Sequence, residues 1–301
     1  MPLRLHHTAK RILTILASVL LLWIAMDAVR PRAPRHSAEW LQAGDVQVRA
    51  LRGGHGDTTL LLLPGYGESL MSYRSTFDLL ATHYRVIAID LPGQAMSDKP
   101  DGPYDLASYQ RRLGDFLSRW TTGAVITVGH SMGGELAALL ALDHPDRVVA
   151  AVLIAPAGNG LNPIVTDAKD MHSDARGWIT AALSTALPPQ DPAWLAEPPE
   201  RADYSPAADP AYRAASTRIL TDFDFAALRD SFALIRQPVL LIWGRQDPTI
   251  PFSIGEDLAA KLPCRRFVPL QGVLHRPHES NPDTVLAEMQ AFLVHPGCQS
   301  H

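Results

Sequence analysis

The chain has 301 residues, 47% of them apolar, and 27 basic residues against 31 acidic ones leave a net charge of -4. That is enough apolar sequence for one large α/β domain or two small ones, and the balanced charge provides neither a basic face for nucleic acid nor a charged tail. The two cysteines, Cys264 and Cys298, have no C-x-x-C spacing, which excludes a zinc or redox motif and leaves their pairing open should the domain be exported.

The amino terminus stands apart. Arg4, Lys10 and Arg11 precede the uncharged run Ile12 to Met26, which is rich in leucine, isoleucine and valine. The run reads as a signal peptide or a membrane anchor; Ala25-Met26-Asp27-Ala28 makes a poor cleavage site, so a retained anchor is expected, with the remainder of the chain outside the cytoplasm. Cleavage and secretion are the alternative. Arg30 to Ser37, with two prolines and three arginines, reads as a linker able to touch anionic lipid.

From Val46 onward short apolar runs alternate with longer amphipathic segments, the pattern of an α/β fold with helices on both faces of a mostly parallel sheet. Strands are expected near Val46–Leu51, Thr59–Leu63, Tyr84–Ile89, Val125–Val128, Val149–Ile154, Val239–Trp243 and Arg266–Val268. Helices are expected near Ser69–Ala81, Leu106–Trp120, Gly133–Leu142, Ser253–Lys261 and Pro282–Leu293. The strands from Thr59 on are unbroken apolar runs, as strands buried on both faces should be. One interval interrupts the alternation: residues 158–236 show helical pieces near Arg176–Leu187, Pro210–Leu220 and Phe225–Ile235, no convincing strand, and many prolines. It is too long for a loop and reads as a helical cap over the carboxyl edge of the sheet. The expected division is therefore 1–37 anchor or signal and linker, 38–157 first part of the core, 158–236 cap, and 237–301 second part of the core.

Three places carry chemistry. Gly129-His130-Ser131-Met132-Gly133 sets a serine between glycines, after a β-type run and before a run of strong helix formers, which is the context of a nucleophile elbow. A serine hydroxyl is nearly unreactive at neutral pH, so a base and a group to orient that base are required. Asp247 follows the apolar strand Val239–Trp243 in a polar turn and suits the orienting role, although Asp before proline is also a common turn residue. His275 precedes the last long helix and is the expected base. His278 on the same loop is its rival, and His295 and His301 are terminal. His130 and Asp90 are read as structural.

Taken in order, Leu62-Leu63-Pro64-Gly65-Tyr66-Gly67, Asp90-Leu91-Pro92-Gly93, Gly129-His130-Ser131-Met132-Gly133-Gly134, Trp243-Gly244-Arg245-Gln246-Asp247 and His275-Arg276-Pro277-His278-Glu279 resemble the α/β-hydrolase superfamily over residues 45–295. The resemblance implies Ser131 as nucleophile, Asp247 as acid, His275 as base, and an oxyanion hole from the backbone N–H groups of Tyr66 and Met132. Three positions depart from the pattern: Pro64 replaces a common histidine, and Ala95 and Leu274 replace common glycines. Serine as nucleophile speaks against the epoxide hydrolases and dehalogenases of this fold, which use aspartate.

The expected activity is hydrolysis of a carboxylic ester, hydrophobic or lipid-like, through an acyl-enzyme and with no metal or cofactor. Amide, thioester or C–C bond hydrolysis, or a catalytically silent binding role, remain the alternatives that fold analogy leaves open.

Overall fold

In the computed structural model, residues 35–160, 194–197, 205 and 208–298 are described. The run Ile12 to Met26 and the helical piece Arg176–Leu187 lie outside them, and among the described residues no helix is long and apolar enough to cross a membrane. The chain divides into two units. Of the smaller, residues 1–37 with 191–196, the described part is a short parallel pair, β1 (His36–Ser37) on β8 (Leu195–Ala196), joined by the His36 N–H donating to the Trp194 carbonyl at 2.9 Å.

The larger unit holds an eight-stranded sheet of β2 (Glu39–Ala43), β3 (Val46–Gly53), β4 (Thr58–Leu63), β5 (Arg85–Ile89), β6 (Ala124–His130), β7 (Val148–Ile154), β9 (Val239–Gly244) and β10 (Arg265–Leu270), in the order β10-β9-β7-β6-β4-β5-β3-β2. All neighbours pair in parallel except at one edge, where β3 runs antiparallel to both β5 and β2. The mostly parallel α/β sheet read from the sequence is the fold observed. The central strands β4, β6, β7 and β9 are buried almost end to end, since helices cover both faces. β2 was not expected. Its sequence Glu-Trp-Leu-Gln-Ala is half-buried at an edge, so it lacks the unbroken apolar run that marks the inner strands.

The helices follow local chemistry. α2 (Leu106–Trp120) starts where the Asp105 carboxylate accepts the Ser108 N–H at 2.9 Å, and it buries Tyr109, Leu113, Phe116 and Leu117 along one stripe. Each such burial stabilises the fold by roughly 1.5–3 kcal/mol. α3 (Met132–Asp143) is buried continuously from Met132 to Ala141, and α5 (Phe252–Lys261) and α7 (Pro282–Val294), the latter preceded by the short α6 (Pro277–Ser280), lie close to their expected limits.

Two helices differ from expectation. The segment Ser69–Ala81 is a 3-10 turn, Leu70–Tyr73, followed by α1 (Arg74–Leu80). The break occurs where the Leu70 N–H donates to the buried Asp90 carboxylate at 2.7 Å and the Tyr73 hydroxyl donates to the Leu63 carbonyl at 2.9 Å, pulling the first turn onto the sheet. The segment Phe225–Ile235 is a chain of tight turns ending in a 3-10 turn at Phe232–Leu234, not a helix. Asp224 opens it by accepting the Ala226 N–H, and Phe225, Leu228, Phe232 and Ile235 are buried at a spacing that helix and successive turns satisfy alike. Of the interval expected as a cap, the described helix is α4 (Pro210–Asp222), capped by Asp209 with Pro210 in its first turn.

Cys264, just before β10, and Cys298, beyond α7, form a disulfide with a Cα–Cα distance of 4.6 Å. The pairing left open in the sequence is therefore made, and it fastens the carboxyl terminus to the sheet edge.

Candidate active site

Every residue singled out for chemistry lies at or just beyond the carboxyl end of a strand: Tyr66 after β4, Ser131 after β6, Asp247 after β9 and His275 after β10. In an open parallel sheet this is the edge where loops converge.

Ser131 sits between β6 and α3 with φ 50 and ψ -118, a conformation that side chains rarely adopt. Glycine makes that turn possible. A Cβ on Gly129 would lie 2.0 Å from the Gly133 carbonyl oxygen, and one on Gly133 would lie 2.2 Å from the Leu63 carbonyl oxygen. The Ser131 backbone is fully engaged, its N–H donating to the Ile154 carbonyl at 3.0 Å and its carbonyl accepting from Gly134, Glu135 and Ala157. Its half-buried side chain makes no hydrogen bond among the described residues. The turn thus fixes the backbone and leaves the hydroxyl without a partner among the described residues.

His275 Nδ1 lies 2.7 Å from Asp247 Oδ2. The other Asp247 oxygen accepts the N–H groups of Thr249 at 2.8 Å and Ile250 at 2.9 Å, so the carboxylate is fixed before it meets the imidazole. The Asp-Pro turn reading and the orienting reading therefore describe one residue with two oxygens in use. Burial pulls the His275 pKa down and outweighs the Asp247 hydrogen bond, which pulls it up. The ring is consequently neutral at neutral pH, as a proton acceptor must be.

His278 takes a different place. It is buried, neither ring nitrogen has a hydrogen-bond partner among the described residues, and burial drives its pKa well down. His295 is exposed and His301 lies outside the described residues.

Tyr66 and Met132 bring their backbone N–H groups to the same edge, and among the described residues neither has an acceptor. The Tyr66 loop is pinned on both sides. The Gly67 N–H donates to the Gln94 side-chain oxygen, while the Tyr66 hydroxyl donates to the Ser216 carbonyl of α4 at 3.2 Å. Gln94 also reaches the Met132 sulfur at 4.0 Å, which links the two donor segments.

The three departures from the family pattern have structural outcomes. Ala95 has φ 42, the left-handed conformation for which glycine is common. Leu274 is 56% exposed, and in its loop Gly272 takes the left-handed position instead, with φ 76. Near Pro64 the polar group is Glu68, whose carboxylate accepts the Gly65 N–H at 2.8 Å. Asp90 is structural as expected, accepting from Leu70, Met96 and Arg49. His130 is more than that, because it touches both Glu68 and the His275 backbone.

Sequence reasoning missed Glu68, Gln94 and Arg276. The available signal for Glu68 was a charged residue three places after Gly65 in an otherwise small and apolar loop.

A family profile described as alpha/beta hydrolase fold matches residues 58–282. Two proteins named dihydrolipoyllysine-residue acetyltransferase component of acetoin cleaving system are similar. The one from Pseudomonas putida is 31% identical over 267 residues, covering 84% of this chain and 69% of that protein. The one from Cupriavidus necator is 38% identical over 115 residues, covering 38% of this chain and only 31% of that protein. A pimeloyl-[acyl-carrier protein] methyl ester esterase of Aliivibrio fischeri is 25% identical over 250 residues, covering 78% of this chain and 93% of that protein. Among solved structures, one of a membrane phospholipase A, described as a bacterial virulence factor, superposes with a TM-score of 0.63 at 25% identity, covering 97% of this chain and 98% of that one.

Proposed function

The chain belongs to the α/β-hydrolase family, and from that premise we propose that it is a serine hydrolase of carboxylic esters with hydrophobic or lipid-like acyl or alcohol parts. The observation that carries the reading is the 2.7 Å contact of the half-buried His275 with Asp247, on the sheet edge where Ser131 is held at φ 50. In the proposed cycle His275 Nε2 takes the Ser131 proton as Oγ attacks the ester carbonyl. The carbonyl oxygen, now an anion, receives the N–H groups of Tyr66 and Met132. Such donors are typically worth on the order of a hundredfold or more in rate each. The intermediate collapses, the alcohol leaves with the proton from His275, and water, activated by the same imidazole, releases the acid and restores the serine. Asp247 holds the ring and offsets its transient charge.

The lipid-like substrate class draws on the phospholipase A likeness and the methyl ester esterase likeness, both proteins named for ester hydrolysis. The Tyr66–Ser216 contact supports reading α4 as part of a cap that would shape the pocket beside the Tyr66 loop. We include in the proposal the N-terminal anchor, Ile12 to Met26, with the catalytic part outside the cytoplasm. The Cys264–Cys298 disulfide supports the location, because such bonds persist in oxidising compartments. The likeness to acetyltransferase components favours a second reading, in which the same acyl-enzyme passes its acyl group to an acceptor other than water.

Hydrolysis of p-nitrophenyl esters from acetyl to palmitoyl, with Ser131→Ala as control, tests the reading. Activity lost in the variant and rising with acyl length supports it. A folded protein inactive at every length contradicts it.

A further inference from the structure

Glu68 is the meeting point of three loops. One carboxylate oxygen accepts the Gly65 N–H at 2.8 Å, and the other lies 3.0 Å from Arg276 Nε. Both lie close to His130 Nδ1, at 3.0 and 3.1 Å. Gly65 begins the loop that presents the Tyr66 N–H, His130 directly precedes Ser131, and Arg276 directly follows His275. The carboxylate itself is 1% exposed, so its oxygens are shielded from bulk water. The fit is tight: a Cβ on Gly65 would come within 2.9 Å of His130 Nδ1 and 3.1 Å of the Glu68 carboxyl carbon.

The protonation state of His130 follows from its partners. Its Nε2 lies 2.8 Å from the His275 carbonyl oxygen, which can only accept, and its Nδ1 faces a carboxylate that accepts from Gly65 and forms an ion pair with Arg276. With Glu68 ionised both ring nitrogens donate, so the arrangement favours the imidazolium form of His130. The other groups that face it are Tyr73 from the 3-10 turn and His275, Arg276, His278 and Glu279 from the loop after β10. Glu68 is the nearest anion among them and holds the charge in place. Burial by itself would push the Glu68 carboxyl up and the His130 ring down, and their mutual attraction and hydrogen bond reverse both shifts.

We propose that Glu68 is a positioning residue that, through imidazolium His130 and Arg276, keeps the donor loop at Tyr66, the turn at Ser131 and the base His275 in register. The proposal rests on the triad reading above and adds to it the group that aligns its parts. Glu68 touches neither the reacting atoms nor Asp247. It acts by fixing the peptide before the nucleophile and the backbone of the base, where a misplacement of about 1 Å costs on the order of a hundredfold in rate.

The test uses the full chain as wild type, Glu68→Gln and Arg276→Gln, with steady-state hydrolysis of p-nitrophenyl butyrate and nitrogen NMR of labelled histidine rings, the His130 signals being assigned by their loss in His130→Gln. At about pH 7.5, above the ordinary histidine value, both His130 ring nitrogens are expected to be protonated in wild type and only one in Glu68→Gln. In Glu68→Gln, kcat is expected to fall about tenfold or more with KM changed less than about threefold, and in Arg276→Gln to fall about threefold with the same split. A neutral His130 in wild type, or wild-type kcat in both variants, would overturn the proposal. If Glu68→Gln does not fold, the wild-type ring spectrum and the partly exposed Arg276 decide the matter, and unchanged kcat in Arg276→Gln counts against the clamp. Wild-type protein without ester hydrolysis would break the triad reading separately, because the ring spectrum reads the clamp without turnover.

Discussion

Two buried glutamates flank the turn at Ser131, Glu68 before the 3-10 turn and Glu135 in the first turn of α3, and they are held in opposite states. Glu68 is surrounded by the Gly65 N–H, His130 and Arg276, and its pKa is pushed down despite burial. Among the described residues Glu135 has no hydrogen bond of good geometry on either oxygen, and burial, with Asp224 nearby, pushes its pKa well up against an opposing pull from the Ala227 backbone. The first is held toward its ionised form and the second toward its neutral form. The difference shows that burial alone does not set the charge of a carboxyl group; the donors around it do. It also separates a group kept for alignment from one that weakens the fold at neutral pH.

The largest expected effect lies between the two glutamates, at the nucleophile itself. Ser131→Ala should reduce kcat for an ester by on the order of a thousandfold or more without moving the thermal midpoint appreciably, as read by steady-state kinetics beside calorimetry. The next largest is the tenfold loss at Glu68→Gln, which should be a loss of rate and not of binding. Glu135→Gln is its mirror image. A neutral amide replaces a carboxyl that burial drives toward its neutral form, so activity should persist while the protein gains on the order of 1 kcal/mol at pH 7 in denaturant titrations. If Glu135→Gln also cost activity tenfold, the contrast between the two residues would be broken.

Stability against pH sharpens the same comparison. Because folding raises the Glu135 pKa, its contribution is most favourable below the ordinary glutamate value of 4.5 and is lost as pH rises. The Glu68–His130 pair behaves differently. Glu68, with its pKa lowered, contributes fully above 4.5, and His130, with its pKa raised, contributes fully below 6.5. The pair therefore stabilises most between those two values and less on either side. Glu68→Gln should flatten that maximum, while Glu135→Gln should remove a decline toward higher pH. His275, with its pKa lowered by burial, should place the acidic limb of the kcat/KM profile below pH 6.5. The smallest expected change is at Ala95, where φ 42 strains an L-residue; Ala95→Gly should stabilise by about 0.5–1 kcal/mol in the same titrations.

What could be read from the sequence was local. The elbow glycines, the apolar inner strands and the polar turn carrying Asp247 each announce themselves within a dozen residues, because backbone sterics and burial act at short range. The Asp247–His275 pairing was anticipated from the polar turn at the end of an apolar strand, the loop before the last helix, and the family resemblance. The clamp at Glu68 was not legible, because its partners lie 62 and 208 positions away and meet only when three loops converge. The turns at Phe225–Ile235 were misread as helix for a related reason: apolar spacing fits either conformation, and the Asp224 side chain selects the turn. Edge strand β2 was missed because partial burial gives it a mixed composition.

The most direct test of the central claim is covalent labelling of the intact protein with a fluorophosphonate, followed by mass spectrometry of its peptides. The account predicts stoichiometric labelling confined to Ser131, abolished by Ser131→Ala and strongly slowed by His275→Ala. Labelling elsewhere, or a folded protein that leaves Ser131 unmodified, would contradict it.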